Sequence, residues 1–271
     1  MVPQLKVLSY DLDELVGRTL EEATITPLAD THIGSAFNDT LFLGYREWIL
    51  ARDNAFVVIT GDVLEMATKN SVGNVYDTIR PREQKDLAIK FLEPLAKAGR
   101  ILAYLDGNHE HRIAKESDTY IGEYICGMMG IPQVYDPDGI FLFLRCGYDT
   151  GKFSEKYKHK GRNVYTVFML HGWTGSRTIG GKANNLEGMS KSVVADLYLS
   201  SHTHQQLAFP GVMMVPDSRS KKLVPRKQMF TSTGSFLEWA GYSIRGGYKP
   251  ALLGTPRIIL DGKGHDVRVL I

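Results

Sequence analysis

Short, wholly apolar runs that stop at a polar loop recur through the first part of the chain. Ala23 to Ala29 is rich in β-formers and ends at Asp30. Phe56-Val57-Val58-Ile59 ends at Thr60-Gly61-Asp62, and Arg100 to Leu105 ends at Asp106-Gly107-Asn108-His109. Runs without polar alternation suit strands buried on both faces. Helical spacing lies between them. Asn38 or Asp39 is placed to cap a helix whose apolar face carries Phe42, Tyr45, Trp48 and Ile49. A longer helix is predicted from Val75 to Ala98, interrupted near Pro81 and Pro94, because proline lacks an N–H and crowds the preceding turn. Repeated strand–loop–helix order predicts a parallel sheet with helical crossovers.

The later part has a different texture. Ile140 to Arg145, Val164 to Leu170, Leu197 to Ser200, Gln206 to Phe209, Gln228 to Thr233 and Pro256 to Leu260 read as short strands separated by turns. One helix is predicted near Leu186 to Ala195. An α/β part followed by a β-rich part predicts an α/β fold of two mixed β-sheets packed as a sandwich with flanking helices. No low-complexity linker and no internal repeat breaks the chain, so residues 1–271 are expected to form a single domain.

Composition adds bounds. A hydrophobic fraction of 43% and a charged fraction of 23% are those of an ordinary globular protein, and a net charge of +2 gives no argument for nucleic acid by itself. Cys126 and Cys146 sit in apolar company and are expected to be free, buried thiols in a reducing compartment. With no signal-like N-terminus and no long apolar window, a cytoplasmic protein without a membrane partner is expected.

Five segments concentrate the metal-binding side chains: Asp30-Thr31-His32, Gly61-Asp62, Gly107-Asn108-His109-Glu110, His171-Gly172 and His202-Thr203-His204. The first three come directly after predicted strands, and open α/β sheets bind ligands beyond the carboxyl ends of their strands. Asp30 and His32, two apart, can turn to one side of an extended loop. Asp62 comes after a glycine that lets the backbone turn sharply, and its two oxygens can bridge two cations. Asn108 offers a neutral oxygen. Imidazole with carboxylate suits Mn, Fe, Zn or Ni better than Ca, and the lack of thiolates argues against a structural zinc site. Each piece alone is weak; their order makes a pair of divalent metal ions the expected cofactor, with Mn the first choice.

In that order, Asp-x-His, Gly-Asp, Gly-Asn-His-Glu, His and His-x-His, the chain resembles the calcineurin-like metallophosphoesterases from about Ala23 to about Ser235. The resemblance implies a two-sheet sandwich and a binuclear centre. Asp30, His32 and His204 would hold one ion and Asn108, His171 and His202 the other, with Asp62 shared. It also implies that His109 is not a ligand but faces the substrate, as the catalytic histidine. The sequence departs from the pattern at Ser201, where glycine is usual, and at Glu110, where aspartate is commoner; Glu110 is expected to orient a neighbour of the ligands.

The expected reaction is hydrolysis of a phosphoester by a hydroxide held between two metal ions. A phosphodiesterase of nuclease-like character is favoured, with a nucleic acid or nucleotide as the phosphoester substrate. Alternatives are a phosphomonoesterase or protein phosphatase, or a protein that binds metal or nucleic acid without turnover. His111, Trp173 and Arg177 are candidate substrate contacts, though an exposed histidine, simple packing and a plain surface loop explain them as well. His159 and His265 are expected to be solvated. Two basic stretches, Lys152, Lys156, Lys158, Lys160, Arg162 and Arg219, Lys221, Lys222, Arg226, Lys227, are either phosphate contacts or solvated hairpin tips. Oligomeric state is not legible.

Overall fold

The structure, a computed structural model, describes residues 5–69, 71, 78–154 and 159–271, apart from the side chains of residues 149–154, 159, 160 and 242. Two six-stranded mixed sheets form the molecule. In chain order the elements begin β1 (Lys6–Asp11), α1 (Leu12–Val16), β2 (Glu22–Leu28), α2 (Asp39–Leu50), β3 (Ala55–Thr60), α3 (Pro81–Lys97), β4 (Ile101–Leu105), α4 (Asn108–Ser117), α5 (Ile121–Met128) and β5 (Tyr135–Asp136). They continue with β6 (Gly139–Ser154), β7 (His159–Leu170), α6 (Ile179–Gly188), β8 (Leu197–Ser200), β9 (Leu207–Asp217), β10 (Lys222–Ser232), α7 (Tyr242–Arg245), β11 (Arg257–Asp261) and β12 (Val267–Leu270). The first sheet runs β12-β11-β2-β3-β4-β5 and the second β1-β6-β7-β8-β10-β9.

Within the first sheet β2, β3 and β4 are parallel, and within the second β7, β8 and β10 are parallel. Side chains alternate along these strands, so each buries two different faces. Phe56 and Val58 of β3 point into the layer between the sheets, where they join Leu142, Val167 and Leu199, while Val57 and Ile59 pack beneath the helices. This is why β3 is apolar throughout. Phe42 and Ile49 of α2, Leu92 of α3 and Ile125 of α5 cover the outer face of the first sheet. Leu186 of α6 and the neighbouring Met189 cover part of the second, over Phe168, Tyr198 and Phe230.

Several elements differ from the pattern's expectation, each for a local reason. The Asn38 side chain caps α2 by accepting from the N–H of Leu41 at 2.8 Å. Pro81 does not interrupt α3 but begins it, since its fixed φ suits the first helical position. Pro94 lies inside α3, which continues to Lys97. The beginning of the predicted helix falls on residues 75–77, outside the described residues. The helix expected near Leu186 to Ala195 is instead α6, which starts at Ile179 because the Thr178 hydroxyl accepts from the N–H of Gly181; the N–H of Ala195 is bound by the Tyr198 hydroxyl. The strands expected at Gln206 to Phe209 and Gln228 to Thr233 are the sheet-bound halves of a long antiparallel hairpin, β9–β10. Prolines disguise it: Pro210 and Pro216 lie on the edge strand β9, and Pro225 lies on the part of β10 beyond its pairing with β8, where a missing N–H is tolerated.

Cys126 and Cys146 are both buried and unbridged. Among the described residues no helix is long and apolar enough to cross a membrane.

Removing the Phe56 ring tests the inter-sheet layer. Phe56→Ala should cost about 3–5 kcal/mol in urea denaturation, the range for emptying a fully buried aromatic site. A loss near that of a surface substitution would remove β3 from the core between the sheets.

Candidate metal centre

The parallel strands of both sheets end on one side of the molecule, and the five polar segments leave from those ends. Asp30, His32, Asp62, His202 and His204 all hold positive φ, from 47° to 68°. L-residues visit this region at a cost, and such strain gathers at functional sites. Gly61, at φ 93°, precedes Asp62; a Cβ there would lie 2.6 Å from His171 Nδ1 and 2.7 Å from the Gly107 backbone. Only glycine lets these three segments approach so closely.

Two groups of donor atoms result. In one, Asp30, His32 and His204 converge: His32 Nε2 lies 3.1 Å from His204 Nε2, which lies 3.4 Å from Asp30 Oδ1. In the other, His171 Nε2 lies 3.1 Å from Asn108 Oδ1, and His202 Nδ1 lies 2.7 Å from the same oxygen. Asp62 stands between. Its Oδ1 accepts from the N–H of His109 at 2.9 Å, while Oδ2 lies 3.3 Å from His171 Nε2 and 4.0 Å from His32 Nε2.

The remaining ring nitrogens fix the orientation of the imidazoles. His171 Nδ1 donates to the Thr60 carbonyl at 2.7 Å, and His32 Nδ1 pairs with the Glu65 carboxylate at 2.9 Å. Each leaves Nε2 turned into the centre, the arrangement in which a partner outside the site sets the ligand's tautomer. Glu65 is a residue of the candidate centre that sequence reasoning misses. Its carboxylate steadies His32 and its carbonyl takes His109 Nδ1 at 2.7 Å. The available signal is its place three residues after Asp62.

Gly107-Asn108-His109-Glu110 is not the loop expected but the first turn of α4. The Glu110 carboxylate is wholly buried and accepts from the N–H groups of Gly107 at 2.9 Å, Leu64 at 2.8 Å and Asp62 at 3.1 Å. Ser201 avoids positive φ, and its hydroxyl donates to the Thr60 carbonyl at 2.6 Å. The serine thus ties the His202 loop to the end of β3. Ser235, just past β10, holds Asp30: its Oγ donates to the Asp30 carbonyl at 2.8 Å.

The charges point to a cation. Burial pushes Asp30 up to about 7, with Asp62 adding to the shift. Burial would lower His171 and His32, but the carboxylates around them prevail and push them up to about 10 and about 9. His171 foremost, with His109 and His32, holds Asp62 well below the usual carboxylate range against its own burial. Asp30 Oδ1 is buried and has no hydrogen-bond partner, although it faces the centre. An orphaned carboxylate oxygen beside convergent imidazole nitrogens fits a divalent metal of the Mn, Fe, Zn or Ni type, and the donor set is all nitrogen and oxygen.

Other expected contacts fare differently. His109 turns Nε2 inward, 3.8 Å from Asp62 Oδ2. His111 is half-buried on α4 with Nε2 3.0 Å from the Pro137 carbonyl, which engages it structurally. Trp173 is exposed on the loop after His171, and the Arg177 guanidinium lies 5.2 Å from the centre of the Tyr248 ring. His265 is not merely solvated; it stacks on Tyr165 with ring centres 4.6 Å apart. In the basic stretches, Arg162 pairs with Asp11, Arg226 with Asp196 at 2.9 Å, and Lys227 with Asp266 at 2.5 Å. Lys156 and Lys158 lie outside the described residues, as do the side chains of Lys152, His159 and Lys160.

Neither family models nor curated proteins give a match to this chain. Among solved structures it is similar to vacuolar protein sorting 29 from Cryptosporidium parvum, at 14% identity and a TM-score of 0.42, over 92% of this chain and 96% of that one. It is similar to a metallophosphoesterase from Sphaerobacter thermophilus, at 14% identity and a TM-score of 0.39, over 91% of this chain and 87% of that one. It is also similar to the phosphoesterase Yfce from E. coli, at 15% identity and a TM-score of 0.36, over 88% of each chain.

A divalent metal entering this centre would have to displace the protons that His32 and His171 hold up to about 9 and about 10. Apparent affinity for Mn should therefore rise between about pH 6 and pH 9, with protons released on binding. Calorimetry in two buffers of different ionisation enthalpy reads this directly. Affinity that is flat with pH and no proton release would count against these two ligands. In the metal-free chain the same shifts contribute stability that is fully present below the unfolded histidine value of about 6.5 and is lost as pH rises through the folded values.

Proposed function

We propose that the chain is a metal-dependent phosphoester hydrolase of the calcineurin-like type. The observation that carries this reading is Asp62 Oδ2, set between the Asp30, His32, His204 group and the Asn108, His171, His202 group. In the proposed arrangement each group holds one divalent ion and Asp62 is common to both. Bound there, the ions supply Lewis acidity toward phosphoryl oxygens and lower the pKa of water at the site. Manganese is the metal of choice, and a phosphodiester the preferred linkage.

The chain's own residues set the rest. Asp62 keeps its position because Oδ1 takes the His109 N–H and its own N–H goes to Glu110. His109 directs its Nδ1 at the Glu65 carbonyl, so a neutral ring leaves Nε2 bare. Burial and the nearby His32 charge push His109 down to about 4 in the free protein. A substrate phosphoryl group brings negative charge against Nε2, which favours the protonated ring. That proton is then placed to pass to the departing oxygen.

Metal content and hydrolysis of an aryl phosphodiester, measured on one sample before and after chelation, test the reading. Stoichiometric metal without chelator-sensitive hydrolysis of mono- or diesters would leave a metal-binding protein without turnover.

Asp62→Asn keeps the shape but removes the charge shared by the two groups. It should weaken retention of at least one ion and lower activity well beyond about tenfold. Full occupancy of both positions by elemental analysis would remove Asp62 from its bridging place.

His109→Ala should keep its metal and lose roughly 10²–10⁴-fold in turnover. Nitrophenyl esters, whose leaving groups need little protonation, should suffer least. Equal losses across leaving groups, or loss of metal, would contradict the proton-donating role.

A further inference from the structure

Two loops at the rim of the metal centre carry exposed aromatic rings. Trp173, two residues beyond His171, is 61% exposed; Trp239 is 48% and Tyr248 43% exposed. Trp239 stands three residues after Phe236, whose N–H donates to the Asp30 carbonyl at 3.1 Å. Both loops are thus anchored at residues of the centre itself. They also meet each other. The Arg177 guanidinium of the first lies 5.2 Å from the Tyr248 ring centre of the second, and within the second the Trp239 indole N–H donates to the Tyr248 carbonyl at 2.7 Å.

The rim carries an excess of positive charge. Residues 172–185 include Arg177 and Lys182 and no Asp or Glu; residues 233–256, between β10 and β11, include Arg245 and Lys249 against one acid, Glu238, whose carboxylate accepts from Asn38 Nδ2 at 2.9 Å. Lys182 reaches the His202-Thr203-His204 loop, donating to the Thr203 carbonyl at 3.0 Å. An exposed tryptophan costs solvation of a large apolar face, and a globular protein ordinarily turns such a ring inward. The remaining tryptophan, Trp48, is covered by Arg52 and Arg257, 4.2 and 5.1 Å from its ring.

We infer that this rim is a stacking surface for the bases of a single-stranded nucleic acid whose backbone runs over the metal centre. Exposed rings interleaved with cations are what a strand of bases and phosphates requires, because every base has a π-face and every linkage a negative charge. Rings on two separate loops fit more than one base, which favours a strand over a mononucleotide. The inference rests on the phosphoesterase reading for the linkage at the centre, but base binding is measured apart from turnover.

The test uses the full chain as purified. Phosphorothioate-linked oligo(dT) of about 12 nucleotides, within the range that one binding module covers, is titrated against an abasic oligomer of the same length and linkage, with tryptophan fluorescence as the readout. Oligo(dT) should quench the fluorescence and bind more tightly than the abasic strand. Trp173→Ala and Trp239→Ala should each weaken oligo(dT) binding by roughly 5- to 100-fold, the equivalent of one lost base stack, and leave abasic binding nearly unchanged. Trp173→Phe, which keeps a stacking face and controls for folding, should restore most of the affinity. Equal affinity for the abasic and base-bearing strands, or alanine variants that bind oligo(dT) like the parent, would overturn the inference. Thymidine monophosphate bound as tightly as the oligomer would overturn the strand. Hydrolysis of an aryl diester by the same sample reports on the phosphoesterase reading: its absence, with base-dependent quenching intact, would sink that reading and not the stacking surface.

Discussion

The three hydrogen bonds into the buried Glu110 carboxylate are the constraint on which the candidate centre depends. They gather the N–H groups of Asp62, Leu64 and Gly107, and so lock the segment leaving β3 to the segment leaving β4. Burial pushes this carboxyl up to about 8, and the charges of Asp62 and Asp106 add to the shift. No side-chain cation among the described residues forms an ion pair with it. The backbone dipoles at the start of α4 are what make an acceptor there tolerable. Without that clamp, neither the angle at which α4 leaves the strand nor the position of Asp62 against the His109 N–H would be set.

The donor set comes from both sheets. Asp30, Asp62 and Asn108 lie just past strands of the first, whereas His171, His202 and His204 lie just past strands of the second. Cross-links between these ends are correspondingly dense: His171 and Ser201 both address the Thr60 carbonyl, and Ser235 addresses the Asp30 carbonyl. The position of one sheet on the other, set by Phe56, Val58 and their partners, therefore bears directly on the distances between donors. Core packing and the geometry of the candidate centre are two aspects of one arrangement.

Much of the fold and the centre is legible in the sequence because residue type carries it. Imidazole, carboxylate and carboxamide at the ends of apolar runs announce both the strand and the polar turn at its end, and β3, wholly apolar, could only be a strand covered on two sides. The parts that stay hidden depend on geometry. Glu65 looks like any surface acid until His32 and His109 are seen to meet it. The first turn of α4 reads as a loop because glycine, asparagine and histidine are poor helix formers; only Glu110 folding back onto Gly107 explains the helix. The β9–β10 hairpin is obscured by prolines that edge positions accept, and the span of α6 by a cap, Thr178, set within glycines. Arg162, Arg226 and Lys227 look available for phosphate, yet their carboxylate partners are distant in sequence and appear only in the fold.

The left-handed backbone at Asp30, His32, Asp62, His202 and His204 has a consequence for the order in which the chain assembles. Aspartate and histidine enter this region more readily than most residues but still at a cost, so the conformation depends on contacts from outside these segments. The groups that impose it are remote: Ser235 reaches Asp30 across 205 residues, and Ser201 reaches Thr60 across 141. Contacts of that separation close large loops and form late. The centre is thus completed only when the sandwich is, and a cation that requires it binds the finished fold and not its precursors. A metal held as proposed would draw the equilibrium toward the native state by mass action, and the resistance of the chain to unfolding would then depend on the metal in its surroundings.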